Sequence, residues 1–302
     1  MKSFSPPTIL ITGKYGQVGW EMQRALLPLG HIVALGRQAM NLANNAAIRE
    51  LIQHIKPDVI VNTAAYTAVD KAEEEQELAM QVNGIAPGVL AEETKQRKAL
   101  LIHFSTDYVF DGTKQTPYTE TDEPKPINVY GASKLAGEQA VRATNADHLI
   151  LRTSWVYGCR GNNFLLTMLK LMKERENLHV IADQRGTPTW ARLIAETTAQ
   201  IVKQSLLERQ QKTFQSGLYH LTTSGETTWH GFAEKIKDIA RKQNKSDVSK
   251  IRNIAPITTS EYPTPAQRPM NSRMAIAKLQ QKYTMIMPRW DKALELCMEE
   301  LP

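Results

Sequence analysis

A tyrosine and a lysine four residues apart are the side chains of this 302-residue chain best suited to acid catalysis. They are Tyr130 and Lys134, in the segment VYGASK, and residues at this spacing share one face of a helix. A nearby ammonium favours the phenolate and lowers the pKa of a phenol, which makes the phenol a more useful acid near neutral pH. The spacing is also common in surface pairs, so its interpretation depends on what else the chain supplies.

Thr106 supplies a third polar group in a suitable place. It ends an apolar run, ALLIHFST, that predicts a buried strand over residues 99–106. Ligands of parallel sheets bind at the carboxyl ends of the strands. We therefore predict that Thr106 donates a hydrogen bond to the same substrate oxygen that Tyr130 protonates.

A glycine-rich turn, TGKYGQVG, lies near the N-terminus. Gly13, Gly16 and Gly19 follow a predicted strand over residues 8–12 and open a predicted helix over residues 17–29. Glycine permits a positive φ and lets the backbone approach a pyrophosphate, and the helix N-terminus adds unpaired N–H groups. This arrangement predicts a dinucleotide-binding turn.

The residues after the second predicted strand bear on which dinucleotide binds. A cofactor without a 2′-phosphate usually meets an acidic residue there, but LGRQAMNLANNAAIRE has no acid between Gly36 and Arg49. Arg37 stands where a cation can bind a 2′-phosphate, with help from Lys14 in the glycine turn. The sequence therefore favours NADPH as the cofactor and leaves acceptance of NADH open.

Apolar runs and amphipathic stretches alternate through the first half of the chain. Strands are predicted over residues 8–12, 31–35, 58–65, 99–106 and 148–154, and helices over residues 17–29, 46–55, 73–95 and 130–143. Gly84 and Pro87 are expected to divide the helical stretch over residues 73–95. This alternation predicts an α/β fold with a Rossmann-type, doubly wound parallel sheet. The second half predicts helices over residues 163–173, 193–210 and 229–242, a strand over residues 217–222, and an extended ligand-side loop over residues 262–269.

Two domains are expected from this pattern. Residues 1–155 would form an NADP(H)-binding Rossmann domain, which the chain rejoins over about residues 190–216. A smaller, mainly C-terminal substrate-binding subdomain would contain residues 156–189 and 217–302.

The composition argues against several other classes of protein. The hydrophobic fraction of 42% and the charged fraction of 23% are those of a globular domain, and no apolar run suits a membrane span or a signal peptide. The two cysteines are too few for a disulfide framework, which fits a cytoplasmic location. The net charge is +6, but no aromatic residues alternate with the basic ones between Lys235 and Arg252. Neither a nucleic acid nor a membrane is therefore an expected partner.

The glycine turn, the strand-end threonine and the Tyr-x-x-x-Lys pair, in this order, resemble the extended branch of the short-chain dehydrogenase/reductase family. That branch acts mainly on nucleotide sugars. From Ile9 to about Trp290 the chain is similar to members that reduce dTDP-4-dehydrorhamnose. The similarity is sharpest in the segments PDVIVNTAAYTAVDKAE, STDYVFDG, NVYGASKLAGE, LRTSWVYG, GNNF and YPTPAQRPMNSRM.

The resemblance implies a reaction and a role for each motif. Hydride from NADPH would reduce C4 of dTDP-4-dehydro-β-L-rhamnose, and the product would serve cell-surface polysaccharide such as the O-antigen of lipopolysaccharide. Tyr130 would donate the proton, Lys134 would tune it and bind the cofactor ribose, and Thr106 would complete the catalytic set. The expected cofactor contacts are Gly13, Gly16, Gln17, Val18, Gly19, Arg37, Asn41, Leu42, Ala64, Ala65, Tyr66, Thr67, Tyr130 and Lys134. The expected substrate contacts are Thr106, Asp107, Tyr108, Trp155 and Arg268, the last of them as a bidentate ligand of the diphosphate.

Two other interpretations stay open at this point. A dehydratase or epimerase can share the fold, but dehydratases carry an Asp-Glu pair after the strand-end threonine, whereas here Asp107 is followed by Tyr108. A regulatory subunit such as that of methionine adenosyltransferase can bind NADP without catalysis. Such a subunit would not need the intact set of Thr106, Tyr130 and Lys134.

The resemblance also bears on metal binding and assembly. Some relatives hold a metal at a dimer interface through glutamates. Glu21 matches one such position, but Arg192 occupies the region of another, so no metal is predicted. A homodimer is left open.

Overall fold

Parallel strands form the central sheet of the chain, for which a computed structural model describes residues 5–243 and 248–301. Within these residues the sheet has six strands in the order β10-β5-β4-β3-β1-β2. Lys245, in the basic stretch noted in the sequence, lies outside the described residues. The strands are β1 (Thr8–Thr12), β2 (His31–Leu35), β3 (Val59–Asn62), β4 (Leu100–Thr106), β5 (His148–Thr153), β6 (Val156–Tyr157), β7 (Asn177–Ile181), β8 (Arg185–Gly186), β9 (Thr189–Trp190), β10 (Gly217–His220), β11 (Thr227–Thr228) and β12 (Asn253–Ile257).

Helices cover both faces of the sheet, and further helices pack together beside it. They are α1 (Gln17–Ala25), α2 (Asn45–Ile55), α3 (Val69–Ala72), α4 (Gln76–Met80), α5 (Ala86–Arg97), α6 (Val129–Ala143), α7 (Phe164–Glu174), α8 (Ala191–Gln210), α9 (Trp229–Gln243), α10 (Ala277–Tyr283) and α11 (Trp290–Glu299). A π-helical turn, Gln81–Ile85, joins α4 to α5. No helix in the described part of the chain combines the length and apolarity that crossing a membrane requires.

The strands of the central sheet are apolar on both faces because helices pack on both. Ile9, Leu10 and Ile11 of β1 have no exposed surface. Ile9 and Ile11 belong to the apolar cluster beneath α1 and α8, whereas Leu10 belongs to the cluster beneath α2 and α5. Burial on two faces is the reason that these strands are continuous apolar runs in the sequence. The predicted α/β fold with a doubly wound parallel sheet is confirmed.

The strand order reverses at β1, which has β2 on one side and β3 on the other. Such a switch point opens a crevice at the carboxyl ends of the strands, where ligands of these sheets bind. Side chains at these ends are linked across the sheet. The hydroxyl of Thr12 donates to Asn62 Oδ1 at 2.6 Å, and Asn62 Nδ2 lies 3.0 Å from His103 Nδ1 on β4.

A second apolar core lies among α7, α9 and α11, apart from the central sheet. It contains the buried side chains of Tyr157, Phe232 and Trp290. β7 and β12 pair in parallel and add Leu178 and Ile254 to the same core. A separate core of this kind is what a smaller subdomain requires; its role in binding substrate stays a prediction.

The expected boundary at residue 217 needs a correction. β10 pairs with β5 in the central sheet, with Gly217 opposite Leu149. Leu279 and Tyr283 of α10 share an apolar cluster with Leu151 of β5. The chain therefore returns to the Rossmann layer beyond residue 216, and again at α10. β10 has four residues and α10 has seven, so their hydrophobic periodicity is too short to show from sequence which apolar core they pack against.

The strands predicted over residues 8–12 and 31–35 have the bounds of β1 and β2, and the other predicted elements are present with shifted ends. The helical stretch predicted over residues 73–95 is divided, as expected, into α4, the π-helical turn and α5: Gly84 lies in that turn and Pro87 lies in the first turn of α5. The strand predicted over residues 58–65 ends at Asn62, which leaves residues 63–68 as a loop beside the crevice. β7, β12, α10 and α11 are not predicted from the sequence.

Candidate active site

The glycine turn joins β1 to α1 at the switch point. Gly13 has a φ of 72°, a conformation that residues with side chains rarely adopt. A Cβ at Gly19 would lie 2.1 Å from the carbonyl oxygen of Gly13, so only glycine lets α1 lie this close to the turn. No side chain in the described residues caps the N-terminus of α1, so backbone N–H groups and the positive end of the helix dipole are left for a ligand. These features fit a diphosphate.

A cleft of about 790 Å³ runs along the carboxyl ends of the strands, from the glycine turn to Trp155. The predicted cofactor residues all line it, namely Gly13, Gly16, Gln17, Val18, Gly19, Arg37, Asn41, Leu42, Ala64, Ala65, Tyr66, Thr67, Tyr130 and Lys134. Four predicted substrate residues also line it, namely Thr106, Asp107, Tyr108 and Trp155. The roles of these residues in binding stay predictions.

Arg268 is the predicted substrate residue that does not line the cleft. Its Nη1 and Nη2 atoms donate to the two carboxylate oxygens of Asp70 at 2.6 and 2.7 Å. These bonds lower the pKa of Asp70. Asp70 thus occupies the bidentate face of the Arg268 guanidinium in this structure, and the binding of Arg268 to a diphosphate stays a prediction.

The first turn of α6 is held so that Tyr130 lies at the cleft. Asn128 Oδ1 accepts a hydrogen bond from the backbone N–H of Gly131 at 2.7 Å, and Glu73 Oε1 accepts one from the backbone N–H of Val129 at 2.9 Å. A Cβ at Gly131 would lie 2.1 Å from the carbonyl oxygen of Tyr108. Glycine at this position therefore lets the helix begin directly against the backbone that follows β4.

The phenol of Tyr130 keeps its proton well above neutral pH. Burial raises the pKa of Tyr130 to about 12, although a hydrogen bond with Thr106 acts in the opposite direction. The Tyr108 ring packs edge-on against it, with ring centroids 5.8 Å apart. The prediction that Lys134 lowers the pKa of Tyr130 is wrong in its net direction: the pKa is raised, and the lowering contribution comes from Thr106.

Lys134 is buried and held by a hydrogen bond to the backbone of β4. Its side chain donates from Nζ to the carbonyl oxygen of Phe104 at 2.6 Å. Burial lowers the pKa of Lys134 to about 8, and the charge of Glu138 opposes that shift. Glu138 in turn accepts two hydrogen bonds of 2.7 Å from Arg152 on β5. The ammonium thus has a defined position at the wall of the cleft.

Thr106 ends β4 and Asp107 follows it directly, and both residues are buried. The Thr106 hydroxyl donates to Asp107 Oδ1 at 3.0 Å and accepts from the backbone N–H of Tyr108 at 3.2 Å. Burial raises the pKa of Asp107 to about 7. This carboxyl group is therefore present in both protonation states near neutral pH and can accept or donate a hydrogen bond.

Asn83, which is not among the predicted site residues, connects the loop on the cofactor side of the cleft to α6 through hydrogen bonds. Its Oδ1 atom accepts from the backbone N–H of Tyr66 at 2.8 Å, and its Nδ2 atom donates to the Tyr66 carbonyl and to Ser133 Oγ, both at 3.0 Å. Ser133 Oγ donates to the carbonyl oxygen of Tyr130 at 2.8 Å. Asn83 lies in the π-helical turn, a feature that often marks functional sites. Gly84, which interrupts the predicted helix next to Asn83, is the feature of the sequence that could have pointed to this residue.

Trp229 is a second residue that the sequence analysis missed. It stacks on Trp155 with ring centroids 3.6 Å apart and an interplanar angle of 7°, and both rings line the cleft. Trp155 has a φ of 45°, which is rare for a bulky residue. A Cβ at Gly186 would lie 2.3 Å from the Trp155 ring, so this glycine makes room for it. The pair closes the cleft from the side of the smaller subdomain.

The opposite end of the cleft carries the exposed Arg37 and the partly exposed Lys14, and among the described residues no acidic side chain lines the cleft there. Arg37 follows β2 and is exposed. A Cβ at Gly36 would lie 2.6 Å from the Tyr15 ring, so an acidic side chain at position 36 requires that ring to move. Lys14 Nζ lies 4.9 Å from the centroid of the same ring. This arrangement fits a 2′-phosphate better than a 2′-hydroxyl.

The region considered for a metal contains an arginine paired with acids. Arg192 Nε lies 3.4 Å from Glu21 Oε2, and Arg192 also forms an ion pair with Glu300. In the chain as described, no group of three or more His, Cys, Asp or Glu side chains is arranged to hold a metal ion.

Comparisons with known proteins agree with this geometry. The family described as the RmlD substrate binding domain matches residues 7–302. The dTDP-4-dehydrorhamnose reductase of Burkholderia thailandensis is 49% identical over 97% of this chain and 98% of its own length. The crystal structure of dTDP-4-dehydrorhamnose reductase from Bacillus anthracis in complex with NADP has a TM-score of 0.86 at 35% identity, covering 98% of this chain and 99% of that chain.

The fold itself is shared more widely. The crystal structure of UDP-glucose 4-epimerase from Thermus thermophilus in complex with NAD has a TM-score of 0.76 over 97% of this chain and 98% of that chain. The two sequences are only 18% identical, so this likeness concerns the Rossmann-type architecture alone.

Proposed function

The chain belongs to the dTDP-4-dehydrorhamnose reductase family, and on that premise we propose that it reduces the C4 ketone of dTDP-4-dehydro-β-L-rhamnose to dTDP-β-L-rhamnose with NADPH. The observation that carries the proposal is the set of Thr106, Tyr130 and Lys134 on a cleft whose other end is the glycine turn. A ketone reduction needs a hydride donor and a proton donor at one carbonyl group.

The residues at the cofactor end fit NADPH. The N–H groups at the start of α1 would bind the diphosphate, and Arg37 would bind the 2′-phosphate. An ammonium has three donors, and Lys134 uses one on Phe104, so the other two are available for ribose hydroxyl groups. Bound NADPH supplies the hydride for the ketone carbon.

Tyr130 holds the proton that the reaction requires. When the ketone becomes an alkoxide, the phenol donates its proton to that oxygen. A pKa of about 12 keeps the phenol protonated at neutral pH until this stronger base forms. Thr106 would turn its hydroxyl proton from Asp107 to the same oxygen and stabilise the charge that develops on it.

The alternatives within the same fold have weaker support. A dehydratase would need a second carboxylate after Asp107, and Tyr108 stands there. A non-catalytic regulatory subunit would not require the intact set of Thr106, Tyr130 and Lys134. An epimerase would recycle its cofactor, so net consumption of NADPH separates that activity from a reductase.

The test is an assay with purified protein and dTDP-4-dehydrorhamnose generated in place by its biosynthetic enzymes. We expect one NADPH to be consumed for each dTDP-rhamnose formed, measured by loss of reduced-nicotinamide absorbance and by mass spectrometry of the sugar nucleotide. A control without the sugar nucleotide should consume none. Absence of turnover while the other enzymes demonstrably supply the ketone would contradict the proposal.

Three finer points belong to the same proposal. We place the chain in the cytoplasm, because its low cysteine content suits a reducing compartment. The product would be a precursor of a surface polysaccharide such as O-antigen. The protein would act as a monomer or homodimer. NADH would be a weaker cofactor than NADPH. Cell fractionation, polysaccharide analysis of a deletion strain and light scattering test these points separately.

A further inference from the structure

The two cysteines of the chain, distant in sequence, are in contact in the fold. Cys159 follows β6 and Cys297 lies in α11, and their sulfur atoms are 3.6 Å apart although 138 positions separate them. The Cys159 thiol also donates to the carbonyl oxygen of Cys297 at 3.2 Å. Cys297 is fully buried, whereas Cys159 is partly exposed and accessible to a small oxidant.

We infer that Cys159 and Cys297 are a reversible oxidation site that forms an intramolecular disulfide bond. A disulfide requires the two sulfur atoms to approach to about 2 Å. The movement falls on the loop after Cys159, because Arg160 and Gly161 are exposed and Gly161 has a φ of 71°, whereas Cys297 is packed within a helix. The inference does not depend on the reductase activity.

The environments of the two thiols shift their pKa values in opposite directions, which predicts different roles for them in the oxidation. The hydrogen bond with Cys297 lowers the pKa of Cys159, with a smaller contribution from the Arg192 guanidinium, and outweighs the opposite effects of burial and the Glu300 carboxylate. The same contact and burial raise the pKa of Cys297. A thiolate is the nucleophilic form of cysteine, so Cys159 reacts first and Cys297 resolves the product.

The balanced reaction uses one hydrogen peroxide molecule. The Cys159 thiolate attacks one peroxide oxygen, the O–O bond breaks, and a sulfenic acid forms as hydroxide leaves and takes up a proton to become water. The Cys297 sulfur then attacks the Cys159 sulfur, the S–O bond breaks, and the Cys297 proton leaves with the hydroxide as a second water. Two thiols are oxidised by two electrons and the peroxide is reduced to water.

The disulfide bond would connect the loop after Cys159, which lines the cleft, to α11, which does not. Gly161 and Asn162, next to Cys159, line the cleft, and Asn163 Nδ2 donates to Gln17 Oε1 at 3.1 Å. α11 belongs to the core of the smaller subdomain. Oxidation would therefore tie a loop at the cofactor end of the cleft to that core.

Peroxide titration of the full-length reduced protein tests the inference. After about one equivalent of hydrogen peroxide, we expect both thiols to resist alkylation, the intact mass to fall by two hydrogen atoms, and dithiothreitol to restore both. Peptide mapping should find residues 159 and 297 joined, with monomer mobility on a non-reducing gel. Thiols that stay alkylatable, a bond between chains, or sulfinic acid on Cys159 beside a free Cys297 would overturn the inference.

Two serine variants test the order of reaction. Cys297→Ser should accumulate a sulfenic acid on Cys159, trapped by dimedone, at least about tenfold faster than Cys159→Ser does on Cys297. Equal rates in the two variants would refute the assignment of Cys159 as the reactive thiol. The mapping of the wild-type protein does not depend on how either variant folds.

Discussion

At the end of the cleft where Tyr130 lies, polar side chains are buried and bonded to the backbone of neighbouring elements, whereas at the end where Arg37 lies they are exposed. Lys134 is 3% exposed and is bonded to the carbonyl of Phe104. At the other end, the Tyr15 side chain is 76% exposed. The cleft therefore combines a fixed region and an open region on one sheet edge.

The difference follows from what each region has to do. Proton transfer requires donor and acceptor atoms within hydrogen-bonding distance, so the groups that perform it are held by packing and by second bonds. Attraction of a phosphate acts over a longer distance and tolerates a flexible cation, although salt screens it. Substitutions in the fixed region should thus change turnover and folding stability, and substitutions in the open region should change cofactor affinity.

The sharpest test of the fixed region is Tyr130→Phe. Loss of the proton donor should lower kcat by roughly 100-fold or more, while the NADPH dissociation constant changes by less than about threefold. Steady-state kinetics and cofactor titration measure the two effects. Tyr157→Phe, which alters a buried phenol in the second core, is the matched control, and turnover near the wild-type value in Tyr130→Phe would exclude Tyr130 from the mechanism.

The sharpest test of the open region is Arg37→Ala. Loss of a charged hydrogen bond to the 2′-phosphate should weaken NADPH binding by about 10- to 30-fold and leave NADH binding nearly unchanged. Calorimetric titration of both cofactors at low and high salt measures this. Arg97→Ala, at the exposed end of α5, is the matched control. Equal losses for NADPH and NADH would mean that Arg37 does not contact the 2′-phosphate.

The pH profile probes the fixed region without a substitution. Because the pKa of Lys134 is lowered to about 8, its ammonium is charged below that pH and loses its proton as the pH rises through it. We expect kcat/KM to fall above pH 8, approaching tenfold per unit, separately from any change that the titration of Asp107 causes near pH 7. Tyr130 stays protonated in this range. A profile that is level to pH 9.5 would show that the charge on Lys134 is not required.

The smallest expected effect concerns Asn83, which links the two regions. Asn83→Ala removes hydrogen bonds to Tyr66 and Ser133 and should lower the free energy of unfolding by about 1–3 kcal/mol. Turnover should fall a few-fold, because the loop at Tyr66 and the start of α6 lose their common support. Urea denaturation and kinetics measure these changes, with Asn177→Ala on the protein surface as the control. An unchanged free energy of unfolding would contradict the proposed support.

The sequence predicts the central sheet and the cleft well because both depend on local patterns. The apolar runs of β1, β4 and β5 and the glycines at Gly13 and Gly19 each determine structure within a few residues. Contacts between distant segments leave no such pattern. The pairing of Arg268 with Asp70, the stacking of Trp229 on Trp155 and the return of β10 to the sheet depend on the packing of two layers, so they emerge only in the folded chain.

The stacked indoles of Trp155 and Trp229 have an optical consequence. Rings 3.6 Å apart exchange excitation energy readily, so the pair emits as a coupled chromophore rather than as two separate residues. Both indoles line the cleft, whereas Trp190 and Trp290 are buried elsewhere. A ligand that reaches this part of the cleft should change the emission of the coupled pair first. We therefore expect the intrinsic tryptophan fluorescence of the protein to report ligand binding without an added label.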